Sequence, residues 1–368
     1  MARRVSIKDV AQHAGVSWKT VSNVVNARPV VREETRARVE QAIEELGYVP
    51  NHVGRDLRGG PTRTIALVVP ELQNPYFARL AELMQVAARE RGYTVSVEVS
   101  LGLAETERAH VRGLAPRPVD AVIISPTALA PADLLATGGP RVVLLGERLP
   151  AAAEISHVAI DNVSSAVDVV RHLVGQGRER LLFLGVDGAV RSTATDRLAG
   201  FRAALRFAGI SVEPELIRTV AHWDREAGRR EMEAVLETGL EVDAVVAGND
   251  LLALGALAAL LARGVGVPEQ VAVVGWDDIP EAAWSRPGLT SIAPDLEALI
   301  SAALDAALAE AGARPTPGRR RWSGTSWSSA DPPWRQGSAE RCLRRCAQAM
   351  RVREFPRCNP DGFALHWR

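Results

Sequence analysis

The sequence is poor in the residues that would build a metal centre, a nucleophilic enzyme or a membrane span. Its three cysteines, Cys342, Cys346 and Cys358, all fall near the C-terminus, and only His366 could join them as a fourth ligand. The seven histidines are scattered, with no two close together in the chain. There is no Gly-x-Ser-x-Gly elbow, phosphate loop or dinucleotide fingerprint, so neither catalysis, a cofactor nor a metal is expected. No apolar run approaches the roughly 20 residues needed to cross a bilayer. Met1-Ala2-Arg3-Arg4-Val5-Ser6 leads into a polar stretch without the apolar segment of a signal peptide, and the expected compartment is the cytoplasm. Lysine is nearly absent: Lys8 and Lys19 stand against 42 arginines, a bias that suggests a GC-rich coding sequence.

What is present is a soluble-protein composition, 47% hydrophobic and 24% charged over 368 residues, enough for two or three domains. The zero net charge conceals three regions. Residues 1–60 hold ten Lys/Arg against seven Asp/Glu, residues 61–313 hold 22 against 33, and residues 314–368 hold 12 against four. Phosphate would be repelled by the acidic middle, so any nucleic-acid contact must come from the ends.

Ser6-Ile7-Lys8-Asp9 has the form of a capping box, and Val10, Ala11 and Ala14 continue an apolar face at helical spacing. Gly15 ends that helix, Val16 can plug the corner, and Ser17 caps a second helix from Trp18 to about Val25, with Val21 and Val24 or Val25 facing inward. A third is predicted from about Arg32 to Leu46, with Val39, Ile43 and Leu46 aligned and Gly47 as its stop. Two short helices across a Gly turn, closed by a third, follow the helix-turn-helix plan. The same pattern would also describe a plain three-helix bundle with a solvated polar face. In the first reading Trp18, Lys19, Ser22 and Asn23 point into a major groove, where lysine reads guanine and asparagine reads adenine. Ser17, Thr20 and the helix N-terminus suit phosphate.

Ser6-Ile7-Lys8-Asp9-Val10-Ala11, then Ala14-Gly15-Val16-Ser17-x-x-Thr20-Val21-Ser22-x-Val24-x-Asn26, resembles the signature of the lactose-repressor (LacI) family. Thr35-Arg36 and Leu46-Gly47-Tyr48-x-Pro50-Asn51 continue it in register. The resemblance implies a DNA-binding head over residues 1–50, with Ser6, Ile7, Ser17, Trp18, Lys19, Thr20, Ser22, Asn23, Asn26 and Asn51 at the DNA. It also implies a hinge helix over residues 51–60 that places Leu57 in the minor groove, where an apolar wedge kinks the duplex at a flexible step. A helix this short, carrying Gly54, is marginal alone, which suits a segment that folds only on DNA. A passive Gly-rich linker is the alternative.

From Thr64 the pattern becomes strand-like runs (Ile65–Val69, Tyr93–Val99, Ala121–Ile124, Val142–Leu145, Leu181–Leu184, Ala244–Ala247, Val271–Val274) alternating with helical stretches (Phe77–Arg91, Ser164–Val174, Ala194–Ala208, Leu251–Arg263). This alternation predicts an α/β core, residues 61–313, of two doubly wound parallel subdomains with a ligand crevice at the strand ends. The resemblance extends here, to a periplasmic-sugar-binding-protein-like core, through Asn74-Pro75-Tyr76-Phe77, Asp161-Asn162, Arg197-x-x-Gly200-Phe201, Asn249-Asp250-x-x-Ala253-x-Gly255 and Val273-Val274-Gly275-Trp276-Asp277-Asp278. It implies effector contacts at Tyr76, Phe77, Arg197, Trp223, Asn249, Trp276 and Asp277. Glu147, just after a strand, is a further candidate. Carboxylate, amide and guanidinium groups with indole faces suit a sugar. Trp223 and Trp276 could equally be core aromatics, and Asp277-Asp278 an ordinary strand-to-helix turn.

After Arg314 the apolar periodicity stops, and four of the eight tryptophans lie in the last 55 residues. Relatives end in a strand of the type Leu-Val-x-Arg-x-Ser, which is expected shortly after Arg321 and is not found. Back-translation of Trp322–Asp331 one base earlier restores a Glu-Leu-Val-Val-Arg-Gly run. The segment after about residue 320 therefore reads as frameshifted, and residues 314–368 as a basic tail without packed structure.

Together these features predict an effector-controlled transcriptional regulator, expected to be a repressor. It would work as a homodimer or tetramer on a pseudo-palindromic operator, with paired hinges coupling a sugar cleft to DNA affinity. The rivals are an activator of the same build and a sugar-binding protein without regulation.

Overall fold

The computed structural model describes residues 5–25, 29–48, 61–134, 139–147, 149, 155–186, 192–309, 321–323 and 325–328. Two compact units divide the chain, Met1–Arg63 with Pro116–Asp120 and the remainder from Thr64.

In the first unit, α1 (Ile7–His13), α2 (Trp18–Val25) and α3 (Glu33–Leu46) form a small bundle. Its start is the predicted capping box: the Ser6 amide donates to Asp9 Oδ2 at 2.8 Å while the Asp9 amide reaches Ser6 Oγ. Gly47, at φ +59°, closes α3 in the left-handed conformation that glycine adopts without strain. Val10, Val21, Val24, Val39, Ala42 and Tyr48 are buried together, with Val16, Ile43 and Leu46 against them. Between the two inward candidates on α2, Val24 is the buried one. Asn26, Asn51, Leu57 and the whole hinge lie outside the described residues.

The second unit continues with β1 (Thr64–Val69), α4 (Pro75–Glu90), β2 (Thr94–Val99), α5 (Ala104–Val111), β3 (Ala121–Ile124), β4 (Arg141–Leu145), β5 (Ser156–Ile160) and α6 (Asn162–Gly175). Then come β6 (Leu181–Val186), α7 (Thr193–Phe207), β7 (Ile217–Thr219), α8 (Arg225–Thr238), β8 (Ala244–Ala247), α9 (Asp250–Ala262) and β9 (Ala272–Trp276). The chain closes through α10 (Pro280–Trp284), β10 (Thr290–Pro294), α11 (Leu296–Ala307), β11 (Arg321–Ser323) and β12 (Thr325–Ser328).

These strands form two six-stranded sheets, ordered β11-β5-β4-β3-β1-β2 and β12-β10-β9-β8-β6-β7. All pairings are parallel except β10 with β12. Central strands such as Ile65–Val69 and Ala244–Ala247 are buried throughout, as parallel strands covered on both faces must be. The chain passes between the lobes after β5, after β10 and after β11. Helix α11 returns to the first lobe, where Leu299, Ile300, Ala303 and Leu304 join Ile65, Leu67 and Met84.

One expectation is corrected. Strands do follow residue 313: Arg321–Ser323 extends the first sheet beside β5, and Thr325–Ser328 closes the second beside β10. An edge strand is held by its backbone ladder, so an extended run without apolar alternation can fill that place. The core therefore reaches at least to Ser328 and does not stop at 313, and the rest of the predicted tail lies outside the described residues.

Candidate functional site

Parallel sheets place their strand C-termini along one edge, and both sheets turn that edge to a common cavity of about 620 Å³. The loops after β1, β2, β3 and β4 supply Glu71, Gly102, Thr127 and Glu147. Those after β7, β8 and β9 supply Trp223, Asn249 and Asp277. The volume lies within the roughly 300–1,000 Å³ usual for small-molecule sites.

Arg197 is the centre of the floor. It sits in the first turns of α7 and is 5% exposed. Its Nε donates to Asn162 Oδ1 at 2.8 Å and its Nη1 to the Gly248 carbonyl. The guanidinium carbon lies 5.0 Å from the Trp276 ring and 5.8 Å from the Trp223 ring, so two indoles hold the cation in place. Burial lowers its pKa, and the charges of Asp277, Glu147, Tyr76 and Asp250 oppose that fall.

Asp277 faces Arg197 from a strained turn, with φ +103° at Asp277 and φ +50° at Asp278. Such conformations persist only where the surroundings enforce them. Here the Asp277 amide donates to the Ile292 carbonyl at 3.0 Å and the Asp278 amide to Ser291 Oγ at 3.0 Å. Buried Asp250 then accepts from Ser291 Oγ at 2.7 Å and from the Ile279 amide at 2.9 Å. Burial pushes the Asp277 carboxyl up to about 7, with Arg197 pulling the other way. Asp250 is raised by burial and by the charge of Asp277.

Tyr76 and Phe77 enter at the start of α4, where Asn74 Oδ1 accepts from the Tyr76 amide at 3.0 Å, and their rings meet edge to face at 5.2 Å. Burial raises the Tyr76 phenol, so it stays protonated and able to donate. Glu147 crosses the cleft: its carboxylate accepts from the Thr193 amide at 2.8 Å and the Thr193 hydroxyl at 2.7 Å. Asn249 lines the cavity with its amide committed, Oδ1 to the Leu252 amide at 2.9 Å and Nδ2 to the Trp223 carbonyl at 3.3 Å. The Trp223 indole N–H is buried and has no protein partner.

Seven of the eight predicted effector residues thus line one cavity. Trp276 does not. It is fully buried, packed with Phe183, Phe201 and Ile292, and its Nε1 donates to Ser165 Oγ at 3.2 Å. The correction has a simple cause: Trp276 lies on the helix-covered face of β9, with its ring 5.0 Å from the Arg197 guanidinium carbon, and does not line the cavity. Sequence reasoning missed Asn162, although the Asp161-Asn162 pair was noticed, along with Glu71, His222 and Asp224 at the cavity. It also missed Glu107, a fully buried carboxylate on α5. That group accepts from the Thr127 amide at 3.0 Å and the Ala128 amide at 3.0 Å, fixing the loop after β3. Nothing in its local pattern, Ala104-Glu105-Thr106-Glu107, distinguishes it from a solvated glutamate.

On the head, Ser17, Trp18 and Lys19 are exposed at the N-terminus of α2, and Trp18 shows 42% of its surface. Thr20, Ser22 and Asn23 are half-buried, as are Ser6 and Ile7 at the start of α1. Ser17 Oγ accepts from the Thr20 amide at 3.1 Å. The first turn of α2 carries no acidic residue, which leaves its positive end available to phosphate.

Among the described residues, no helix is long and apolar enough to cross a membrane. No group of three or more His, Cys, Asp or Glu there could hold a metal.

Residues 6–51 match the family model for bacterial regulatory proteins of the lacI family, and residues 170–328 match that for a periplasmic binding protein-like domain. The second match ends where β12 ends. The HTH-type transcriptional regulator AscG of Escherichia coli (strain K12) is 36% identical over 290 residues, 77% of this chain and 85% of AscG. A CelR–cellobiose complex superimposes with a TM-score of 0.62 at 30% identity, covering 89% of this chain and 99% of that one. The lac repressor dimer bound to operator and an anti-inducer gives a TM-score of 0.75 at 27% identity, covering 89% and 98%. With a helix-turn-helix head, a two-lobed core and relatives matched over most of both lengths, the chain belongs to the lacI family of bacterial regulatory proteins: it is a DNA-binding transcriptional regulator with an effector-binding domain.

Proposed function

We propose that the protein is a cytoplasmic repressor that binds a pseudo-palindromic operator as a homodimer and changes its operator affinity when a sugar enters the cavity. The observation that carries this reading is the cavity floor. An indole-flanked Arg197, a carboxylate at Asp277 and a Tyr76 hydroxyl offer hydroxyl-binding groups in fixed directions at the junction of two lobes. A ligand bridging those lobes favours one relative arrangement of them, and any such preference shifts the linked DNA equilibrium by the same free energy. The CelR–cellobiose complex and the operator-bound lac repressor dimer support the sugar, the operator and the dimer. Leu57 and the hinge would carry the change to the minor groove.

Selection from a randomised duplex pool, followed by release with a panel of neutral sugars, tests the reading. Enrichment of a palindrome that a sugar releases is expected; no enriched sequence would exclude operator binding. On the selected site, Asn23→Ala is expected to lose about 1–3 kcal/mol of affinity, with non-specific duplex binding nearly unchanged in a gel shift. An equal loss on both DNAs would remove Asn23 from base reading.

The Asp277 carboxyl gives a pH signature. Arg197, Tyr76 and Asp250 face it, and its folded-state value of about 7 lies well above that of an exposed aspartate. The folded protein therefore holds this proton more tightly than the unfolded chain. Its stabilising contribution is complete below about pH 4 and lost as pH rises through about 7. An ionised Asp277 accepts hydroxyl donors more strongly, so sugar affinity should climb between pH 6 and 8. Calorimetric titration should show that slope in the wild type and a flat profile in Asp277→Asn.

A further inference from the structure

The charges of the cavity restrict which sugar it can take. Among the described residues its lining holds four carboxylates, Glu71, Glu147, Asp224 and Asp277, against the guanidinium of Arg197 and the imidazole of His222. That guanidinium already engages its Nε–H with Asn162 and an Nη1–H with the Gly248 carbonyl; its remaining Nη hydrogens are outnumbered by the carboxylates around the cavity, a setting that favours a neutral hydroxyl over a further anion.

Among the described residues, the helix N-termini at the cavity are further places where an anion could be held, and each carries its own acceptor. Asn74 caps α4, Asp161 caps α6, Asp224 caps α8 and Asn249 caps α9. The fifth, α7, is capped by Ser192 and is also met from the opposite lobe: Glu147 takes both the amide and the hydroxyl of Thr193 in its first turn. A resident carboxylate occupies the position where a ligand phosphate would gain most from the helix dipole. Glu71 and Asp224 add repulsion at the cavity, enough that burial and Asp224 together raise the Glu71 carboxyl. Among the described residues, a ligand meets the remaining Nη hydrogens of Arg197, the acceptor Asp277, the hydroxyl of Tyr76 and the buried, unpartnered indole N–H of Trp223. Hydroxyl groups, which both donate and accept, match that set.

We propose that the cavity selects an uncharged polyhydroxylated effector and rejects phosphorylated or carboxylated sugars, and that Glu147 sets this selection by occupying the N-terminus of α7. The proposal rests on the sugar-effector reading, and refines it to a charge class.

Calorimetric titration of the full chain tests it with galactose and cellobiose, with glucose 6-phosphate and galacturonate, and with inorganic phosphate. For the wild type, a neutral sugar is expected to bind at least tenfold more tightly than either anionic sugar, and phosphate not to bind in the millimolar range. Glu147→Gln keeps an acceptor for Thr193 and loses the charge; it is expected to bind phosphate at least tenfold more tightly than the wild type. Wild-type binding of glucose 6-phosphate or galacturonate as tight as that of the neutral sugars would overturn the proposal, whatever the variant does. A folded Glu147→Gln with no gain in phosphate binding would overturn the role given to Glu147. If no neutral sugar binds while the phosphate results hold, the sugar reading falls and the charge selection stands.

Discussion

Replacing Gly255 with alanine is expected to destabilise the core by about 3 kcal/mol or more, at the upper end of overpacking. A Cβ at this position would fall on the Arg225 carbonyl oxygen and the Arg229 amide nitrogen of α8, which are backbone atoms that no side-chain rotation can clear. The facing residue, Gly228, meets Leu252 backbone in the same way. Helices α8 and α9 thus touch backbone to backbone, and a methyl group on either must push them apart. At about 2–4 °C per kcal/mol for a domain of this size, thermal melting should fall by roughly 10 °C. Gly266→Ala serves as the control, because the nearest atom to its Cβ is the end of the Gln270 side chain, at 3.2 Å. A Gly255→Ala protein that melts with the wild type would disprove the contact.

Arg197→Ala should give a protein that still binds operator and no longer responds to effector. The substitution removes the donors to Asn162 Oδ1 and the Gly248 carbonyl, and it leaves Asp277 without its cation in a buried setting. Leaving buried acceptors without their donor costs about 1–3 kcal/mol each, and the Asp277 carboxyl can offset the loss of the nearby cation by staying protonated. A loss of about 3 kcal/mol in a denaturant titration is therefore expected, together with abolished release from DNA. Arg197→Lys keeps the charge without the planar group between Trp223 and Trp276, so it should recover some stability and little of the response. Normal sugar-induced release by either variant would place the effector elsewhere.

The head was readable because its determinants are local. Ser6 and Asp9 cap within one turn, Val10, Val21, Val24 and Val39 repeat at helical spacing, and Gly47 ends α3 with a conformation only glycine adopts freely. The alternation of apolar runs also revealed seven of the strands. Those it missed are short, edge-placed or irregular: Ile217–Thr219 has three residues, and Thr290–Pro294 ends in proline. Ser156–Ile160 begins with two polar residues, which breaks the apolar run on which the other assignments relied.

Sequence by itself determined the residue types at the site and the family motifs that carry them, because a crevice at strand ends draws its groups from the residues just after each strand. Only the tertiary structure decided what each motif residue does. In Arg197-x-x-Gly200-Phe201 the arginine faces the cavity, while Gly200 lets α7 approach the Val163 carbonyl of α6. In Trp276-Asp277 the adjacent side chains part company at the strand end: Trp276 packs into the core and Asp277 turns into the cavity through a positive φ. Glu147 became a lobe-spanning acceptor only because Thr193, 46 residues away, lies opposite it. Spacing along a chain fixes local geometry within a turn or a strand. Which face is covered, and which helix end meets which carboxylate, depends on how the two sheets are packed.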